Sequence, residues 1–361
     1  MKLLYKALFI TFLIPSMVFA GPEKFKGKYT KEKILKKEYT VNAGAGLKIE
    51  NSYGNIDVVT WNENRTLIVV TIKTNGNDEN EVQEKLNEID VNFSGNSSLV
   101  TASTIFTESK SNWNWFGSKT NNISMEINYV VKIPVTNSVN LTNNYGSISI
   151  NKLNGNAKIK CDYGQLIIGE LLADDNSLSF NYTNNSTIEF MKSGSINANY
   201  SSFTLRKAIQ INLTADYTDS EILDIKTLNY NCDYGKITIK KIQDLIGRGD
   251  YLTSRIGTIT GSVSLKTDYG NISLENLSAT AKNVSVDAAY TKINLGFESG
   301  YNFNFLINTT YSGFNGKNTV TVSKSSQDGS DKMYTGFHGS KSTFNKININ
   351  SSYGDVTFTE L

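Results

Sequence analysis

The feature that most constrains this chain is a short tyrosine-centred pattern that recurs along most of its length. The 19 tyrosines and 27 glycines among the 361 residues would form one or two Tyr-Gly pairs by chance, yet the sequence contains six. Degenerate copies lie between them, and from Tyr145 to Tyr311 the tyrosines are spaced by 17 to 21 residues. A period of this length indicates a stacked repeat architecture.

Apolar residues alternate with polar ones on both sides of each tyrosine. Val139, Leu141, Ile148 and Ile150 stand at such positions around Tyr145. Alternation with period two is typical of a strand with one buried face, and the parity slips by one residue at the tyrosine, which indicates a corner. One such unit cannot bury its apolar face alone. We therefore predict an all-β parallel β-solenoid (β-helix) with coils of about 18 residues, stacked about 4.8 Å apart.

Stacking in register predicts a structural ladder of tyrosines. Its expected members are Tyr145, Tyr163, Tyr182, Tyr200, Tyr217, Tyr234, Tyr251 and Tyr269. Glycine after the tyrosine is expected to supply the positive φ that tight corners need. The stretches "CDYGQLII" and "CDYGKITI" are then the same corner four coils apart, so Cys161 and Cys232 lie roughly 19 Å from each other. A disulfide needs Cα atoms within about 7 Å, so we expect both thiols to be free and inward-facing.

The first residues, "MKLLYKALFITFLIPSMVFAG", are typical of a secretory signal peptide. Two lysines precede an apolar run from Ala7 to Phe19, and cleavage is expected after Ala20. The run is shorter than the roughly 20 residues of a membrane-spanning helix, so no transmembrane segment is expected in the mature chain. The predicted location is the periplasm or the cell surface. The mature chain has 34 basic and 34 acidic side chains, which argues against nucleic-acid binding.

Composition and spacing divide the chain into four predicted parts. Residues 1–20 are the signal peptide, and residues 21–42 are a basic lead-in that is expected to be poorly ordered. Residues 43–136 form an N-terminal cap and first coil, with one helix indicated by Val82, Leu86 and Ile89. Residues 137–361 form the solenoid coils, with a C-terminal cap loop or hairpin at 315–345.

Few residues of this chain are suited to catalysis. His338 is its single histidine, which leaves Ser-His-Asp triads and His/Cys zinc sites without support. We expect no catalytic residue, no metal ligand set and no cofactor, hence a non-enzymatic protein. One alternative stays open, because acidic residues precede the tyrosine in four consecutive coils. The aspartates are Asp216, Asp233, Asp250 and Asp268. We expect each of them to bond the amides of its own turn with its charge toward water; the alternatives are that they hold calcium or act on a polysaccharide as paired acids.

A segment outside the repeat is rich in aromatic residues. "SKSNWNWFGSKTNN" places Trp113, Trp115 and Phe116 among polar residues. Exposed aromatic side chains on a loop often contact a sugar or a protein, so this is the candidate ligand-contact loop. The alternative is a turn whose aromatic rings fold back over the core.

Several of these motifs together resemble one known family. The export signal, "NSYGNIDVVTWNEN", "INYVVKIP", the Tyr-Gly corners and "INSSYGDVTF" are similar to the adhesin-like domain family, exported auto-transporter-adhesin-type β-helix proteins of Gram-negative bacteria, mostly of unknown function. The resemblance implies the fold and supplies no functional residue. The predicted function is adhesion or scaffolding, with a glycan or protein surface as partner. The alternative is a polysaccharide-active enzyme or calcium-dependent glycan binder that uses the aspartates.

Overall fold

The computed structural model describes residues 25–107 and 123–361, and this part of the chain is all-β. It contains 27 strands, which belong to one sheet, and a single helix. The all-β prediction is therefore confirmed. Most strands belong to pairs that flank one of the repeating tyrosines. We call such a pair, with its corner, a Tyr unit and name it by its tyrosine.

The N-terminal region contains the helix and seven strands. They are β1 (Tyr29–Thr40), β2 (Gly46–Ser52), β3 (Ile56–Trp61), β4 (Arg65–Gly76), α1 (Glu79–Glu88), β5 (Ile89–Gly95), β6 (Leu99–Phe106) and β7 (Ser124–Pro134). Strands β2 and β3 form the Tyr53 unit.

The middle region contains the Tyr units from Tyr145 to Tyr269. Its strands are β8 (Ser138–Asn144), β9 (Ile148–Leu153), β10 (Ala157–Asp162), β11 (Leu166–Leu171), β12 (Asn176–Asn181), β13 (Ser186–Asn199), β14 (Ser202–Asp216), β15 (Asp219–Asp233), β16 (Gly235–Arg248), β17 (Leu252–Ile259), β18 (Val263–Asp268) and β19 (Asn271–Leu277). Strands β13 to β16 each run from one tyrosine corner to the next.

The late region contains the remaining eight strands. They are β20 (Val284–Ala289), β21 (Lys292–Phe297), β22 (Phe303–Thr310), β23 (Phe314–Asn315), β24 (Thr321–Asp328), β25 (Asp331–His338), β26 (Lys346–Ser352) and β27 (Val356–Glu360). They include the Tyr290, Tyr311 and Tyr353 units.

Two ladders of parallel strands connect the Tyr units. Strands that precede the tyrosine pair with one another, as in β8–β10–β12, and strands that follow it pair likewise, as in β9–β11–β13. The register keeps apolar residues above apolar residues, for example Leu141 beside Ile159 and Ile159 beside Leu178. These three side chains are at most 1% exposed. The inward positions of the sequence pattern thus form the core.

The N-terminal region extends both ladders with antiparallel strands. Strand β7 pairs in parallel with β3 and antiparallel with β4, and β4 pairs with β1. The lead-in expected to be poorly ordered therefore contains an ordered strand over Tyr29–Thr40, because its backbone completes the edge of β4. Helix α1 packs against β4 and β1, and its Val82 and Leu86 are buried, as the sequence predicts. Ile89, which the sequence also places in the helix, is instead the first residue of β5, because the backbone becomes extended there.

The late region departs from the order of the sequence. Strand β26 pairs in parallel with both β20 and β22, and β27 pairs with both β21 and β23. The Tyr353 unit therefore lies between the Tyr290 and Tyr311 units. The segment 315–345 contains the hairpin β24–β25, whose strand β25 pairs antiparallel with the outer edge of β22.

Candidate binding surface

Each Tyr unit turns at its tyrosine, and the tyrosine itself has the unusual backbone conformation. In all twelve units its φ lies between 50° and 63°, in the left-handed region. The expectation that glycine supplies this positive φ is wrong, since Gly146 and its equivalents have ordinary φ angles. Gly146 is required for another reason: a Cβ there would lie 1.9 Å from the carbonyl oxygen of Gly54 in the adjacent unit. Glycine at this position permits the close approach of stacked corners.

A tyrosine in the left-handed region needs a compensating interaction. The conformation costs a non-glycine residue roughly 1–2 kcal/mol, which glycine would avoid. The backbone N–H of Tyr217 donates to the carbonyl oxygen of Asp233 at 3.0 Å, but any residue could make this bond. Only an aromatic side chain adds ring stacking, which is worth about 0.5–1.5 kcal/mol per pair beyond area burial. The ring is therefore the physical reason for tyrosine at this corner.

The twelve rings form one continuous stack, the tyrosine column. Neighbouring centroids are 4.7–5.3 Å apart, with planes within 11° of parallel. Eleven such steps make the column roughly 50 Å long. The order is Tyr53, Tyr145, Tyr163, Tyr182, Tyr200, Tyr217, Tyr234, Tyr251, Tyr269, Tyr290, Tyr353 and Tyr311.

The column presents ring edges and phenol groups to solvent, because each ring face is covered by the next ring. Its members are 41–64% exposed. At one end Phe106 packs edge-on against Tyr53, with centroids 6.3 Å apart. At the other end Tyr311 is the most exposed member, at 64%. A ligand along the column therefore meets hydroxyl groups and ring edges, and a ring face is open only beside Tyr311.

Two phenols of the column, those of Tyr234 and Tyr353, have a raised pKa. The pKa of Tyr234 is raised, first by desolvation, then by the neighbouring phenols of Tyr217 and Tyr251, and further by Asp233 and Asp250. The pKa of Tyr353 is raised for the same first reason and by its two ring neighbours. A neutral phenol both donates and accepts a hydrogen bond. The column thus presents a row of groups that can act both as donors and as acceptors of hydrogen bonds.

The aspartates beside the column link adjacent units. A carboxylate oxygen of Asp233 accepts the backbone N–H of Asp250 at 2.7 Å, and Asp216 and Asp250 accept those of the next aspartates at 3.2 Å. Asp268 accepts the N–H of Ala289 at 3.1 Å. The turn amide that each one bonds thus belongs to the following unit rather than to its own corner, which corrects the simplest turn interpretation.

Two grooves run along the sides of the column. One, of about 340 Å³, lies beside Tyr182, Tyr200 and Tyr217 on the side of Asn199 and Asp216. The other, of about 510 Å³, lies beside Tyr200, Tyr217 and Tyr234 on the side of Ser202 and Asp219. At Tyr200 and Tyr217 the column is therefore flanked by a groove on each side.

A patch of the outer face shortly before the column, at residues 177–179, 195–197, 212–214 and 229–231, carries no charged side chain. Short polar side chains point outward from β12 to β15, and the Asn229 amide donates to the Asn212 side-chain oxygen at 3.1 Å. The outward residues are Ser177, Ser179, Ser195, Asn197, Asn212, Thr214, Asn229 and Asn231. This patch can donate and accept hydrogen bonds, and the carboxylates of Asp216 and Asp233 lie at its border with the column.

The other residues that the sequence singles out do not join this surface. Trp113, Trp115 and Phe116 lie outside the described residues. His338 packs between Phe297 and Phe303, and its Nδ1 lies 2.7 Å from the carbonyl oxygen of Tyr301. Cys161 and Cys232 are free and buried, in agreement with the predicted register. Within residues 25–107 and 123–361 no group of three or more His, Cys, Asp or Glu side chains is arranged to hold a metal ion.

Four members of the column were absent from the ladder expected from the sequence: Tyr53, Tyr290, Tyr311 and Tyr353. Tyr-Gly pairs at Tyr53 and Tyr353 are the signal that could have placed two of them there. The edge-on cap by Phe106 has no comparable signal, because Phe106 lies 53 residues from Tyr53 and outside the repeat.

Comparison with known proteins gives structural likenesses only. No family model and no curated protein matches the chain. A "putative cell adhesion protein" from Clostridium sporogenes is 12% identical, with 92% of this chain and 100% of that one covered and a TM-score of 0.20. A "putative adhesin" from Parabacteroides distasonis is 9% identical, with 91% and 97% covered and a TM-score of 0.33. Such values assign the chain neither a family nor an activity. No helix in the described residues is long and apolar enough to cross a membrane.

Proposed function

We propose that this protein is a non-enzymatic, exported β-solenoid that acts in adhesion or as a scaffold, with the tyrosine column as its binding face. The solenoid is supported by the two parallel ladders, to each of which a Tyr unit contributes one strand. Export to the periplasm or the cell surface is supported by residues 1–20, which have the pattern of a secretory signal peptide.

The observation that carries the proposal is the exposure of the column. Twelve stacked rings, each 41–64% exposed, form an uninterrupted aromatic ridge. Large contiguous aromatic surfaces on soluble domains often mark interaction sites. A ladder that served stability alone could be buried by the neighbouring strands, as Tyr129 and Tyr301 are.

The chemistry of the surface favours an extended, uncharged ligand rich in hydroxyl or amide groups. The phenol groups both donate and accept hydrogen bonds, and the outward side chains within residues 177–179, 195–197, 212–214 and 229–231 are serine, threonine or asparagine. A glycan chain or a polar protein surface fits this description. The aspartates from Asp216 to Asp268 would repel a nucleic-acid backbone.

The test is an array of glycans and extracellular proteins probed with three forms of the protein. The first variant, Tyr200→Asn/Tyr217→Asn/Tyr234→Asn, removes three rings, and asparagine tolerates the left-handed conformation. The control, Lys207→Ala/Asp224→Ala/Lys241→Ala, changes a row at the far ends of the same units. We expect the wild type and the control to bind a common ligand and the asparagine variant to lose it.

Two results would contradict the proposal. One is equal binding by all three forms, which would move the binding face elsewhere. The other is binding that requires calcium, or turnover of a polysaccharide that Asp233→Asn abolishes, which would favour the alternative based on the aspartates. Binding to the array is therefore measured once in the presence of calcium and once in the presence of a chelator.

A further inference from the structure

The Tyr353 unit occupies a position between two units that precede it in the sequence. Its strand β26 has β20 on one side and β22 on the other, with Ile347 in register with both Val284 and Phe305. The ring of Tyr353 lies 4.7 Å from that of Tyr290 and 4.9 Å from that of Tyr311. In the middle region, by contrast, each unit stacks on the unit that directly precedes it in the sequence.

Without residues 346–360, the Tyr290 and Tyr311 units would be separated by a slot one strand wide. Both walls of the slot are strand edges whose backbone groups the Tyr353 unit satisfies. Tyr290 N–H donates to the Ser352 carbonyl at 2.8 Å, and Tyr353 N–H donates to the Thr310 carbonyl at 2.9 Å. Unpaired edges of this kind are templates for another strand.

The apolar interior of the slot, like its edges, is filled by the Tyr353 unit. Ile347, Ile349, Val356 and Phe358 point inward and are at most 2% exposed. Burial of such apolar side chains stabilises the folded state. A filled slot is therefore held firmly, and its occupant is decided while the protein folds.

One segment, residues 339–345, connects the Tyr353 unit to the strand before it. This linker lies on the surface, where Ser340 N–H donates to the Asn302 side-chain oxygen at 2.7 Å and Phe344 is 94% exposed. Fully extended, seven residues span about 23 Å. That reach suffices to carry the unit out of its own slot and into a neighbouring molecule.

We propose that the Tyr353 unit exchanges between copies of this chain: the slot of one copy receives residues 346–360 of a second copy, and the reverse, giving a strand-exchanged dimer. The exchanged unit makes the same hydrogen bonds and apolar contacts as in a single copy, so only the linker 339–345 changes conformation. Exchange of an identical element is a low-cost route to a dimer. The two routes compete during folding, and the dimer is favoured as the concentration of folding chains rises.

The experiment places one cysteine on each side of the slot, on separate chains. Ser285 and Asn348 are exposed register partners on β20 and β26. The variants Ser285→Cys and Asn348→Cys are mixed in denaturant, refolded together and oxidised. We expect a disulfide-linked dimer that joins the two variants and increases with protein concentration. The native thiols are buried and do not interfere in the folded protein.

Two matched sets of variants decide between the outcomes. The double variant Ser285→Cys/Asn348→Cys, refolded at low concentration, must close its disulfide within one chain and so shows that the positions can bond. Asn212→Cys and Asn229→Cys on separate chains are the control, because they are register partners in units that follow each other in the sequence. Exchange predicts dimer from the first mixture and none from the control. No mixed dimer, or equal amounts in both mixtures, would overturn the proposal.

Discussion

The middle and late regions are built from the same unit but stack it by different rules. From Tyr145 to Tyr269 the spatial order of the units is the order of the sequence. In the late region the order is Tyr290, Tyr353 and Tyr311. The comparison teaches that the pattern around each tyrosine determines the shape of a unit, whereas the connecting segments determine its neighbours. The left-handed corner and the ring contact are common to all twelve units.

The largest difference between the regions is expected in their cores. Phe358 of the Tyr353 unit packs against four other phenylalanines, with ring centroids 5.0–6.2 Å away. Phe180 in the middle region has one such neighbour, Phe203, at 5.6 Å. Truncation of a buried phenylalanine to alanine costs about 3–5 kcal/mol. In urea unfolding, we expect the loss of stability to lie at the upper end of this range for Phe358→Ala and at the lower end for Phe180→Ala.

The control for both truncations is the slope of the free energy of unfolding against urea concentration. An unchanged slope shows that the variants unfold from the same compact state. A larger loss for Phe180→Ala would mean that the late region is held by its strand pairing and not by its aromatic cluster.

The corner glycines test what the two regions share. A Cβ on Gly164 would lie 1.9 Å from the Gly146 carbonyl oxygen, and one on Gly354 would lie 2.0 Å from the Thr291 carbonyl oxygen. Backbone atoms cannot move aside as a flexible side chain can, so each Gly→Ala change should cost about 3 kcal/mol. Gly44→Ala is the control, since no atom lies within 4 Å of its added Cβ. Thermal unfolding that tolerates Gly164→Ala would disprove the close approach of the corners.

Much of the unit was predictable from the sequence, because alternation and spacing act locally. The inward positions around Tyr145 and the helical residues Val82 and Leu86 are buried as the pattern predicts. The left-handed φ of the tyrosines was not predictable, because either the tyrosine or the residue after it could adopt the positive φ that closes the corner. The ring stack that favours tyrosine there exists only after the units are assembled.

Contacts between distant segments account for the other differences. Tyr230 is not a corner tyrosine: its side chain points inward and is 4% exposed. Its ring has room there because Gly247 lies beside it in register. The position of the Tyr353 unit depends on the hairpin β24–β25, which occupies the outer edge of β22. No local pattern contains this information. The sequence interval between Tyr290 and Tyr311 suits direct stacking equally well.

The free energy of unfolding should also separate the regions at alkaline pH. Burial raises the pKa of the thiols of Cys161 and Cys232, both in the middle region, to about 12. Because unfolded thiols ionise near pH 8.5, the stability that the neutral thiols contribute is complete below that pH and is lost as pH rises toward 12. Each thiol should lower the free energy of unfolding by about 1.4 kcal/mol per pH unit within this window.

Unfolding free energies measured between pH 8 and pH 10.5 check this, with Cys161→Ala/Cys232→Ala as the comparison. The late region contains no cysteine, and its buried Tyr301, whose pKa is raised by burial, ionises in the unfolded chain only near pH 10. We therefore expect the double variant to show a flatter profile below pH 10. An unchanged slope would mean that the thiols are accessible to base in the folded protein.

The smallest expected effect concerns the column itself, which crosses both regions. Tyr217 stacks on a ring at 4.8 Å on each side, whereas Tyr311 stacks on one ring only, at 4.9 Å. Leucine keeps the cost of the left-handed conformation and removes the ring, so the change measures stacking. With about 0.5–1.5 kcal/mol per pair, Tyr217→Leu should cost about twice as much as Tyr311→Leu in urea unfolding. Tyr217→Phe keeps both stacks and should cost little. If Tyr217→Leu and Tyr311→Leu leave stability unchanged, stacking cannot be what compensates the strained corners, and the rings would have to be explained by a ligand alone.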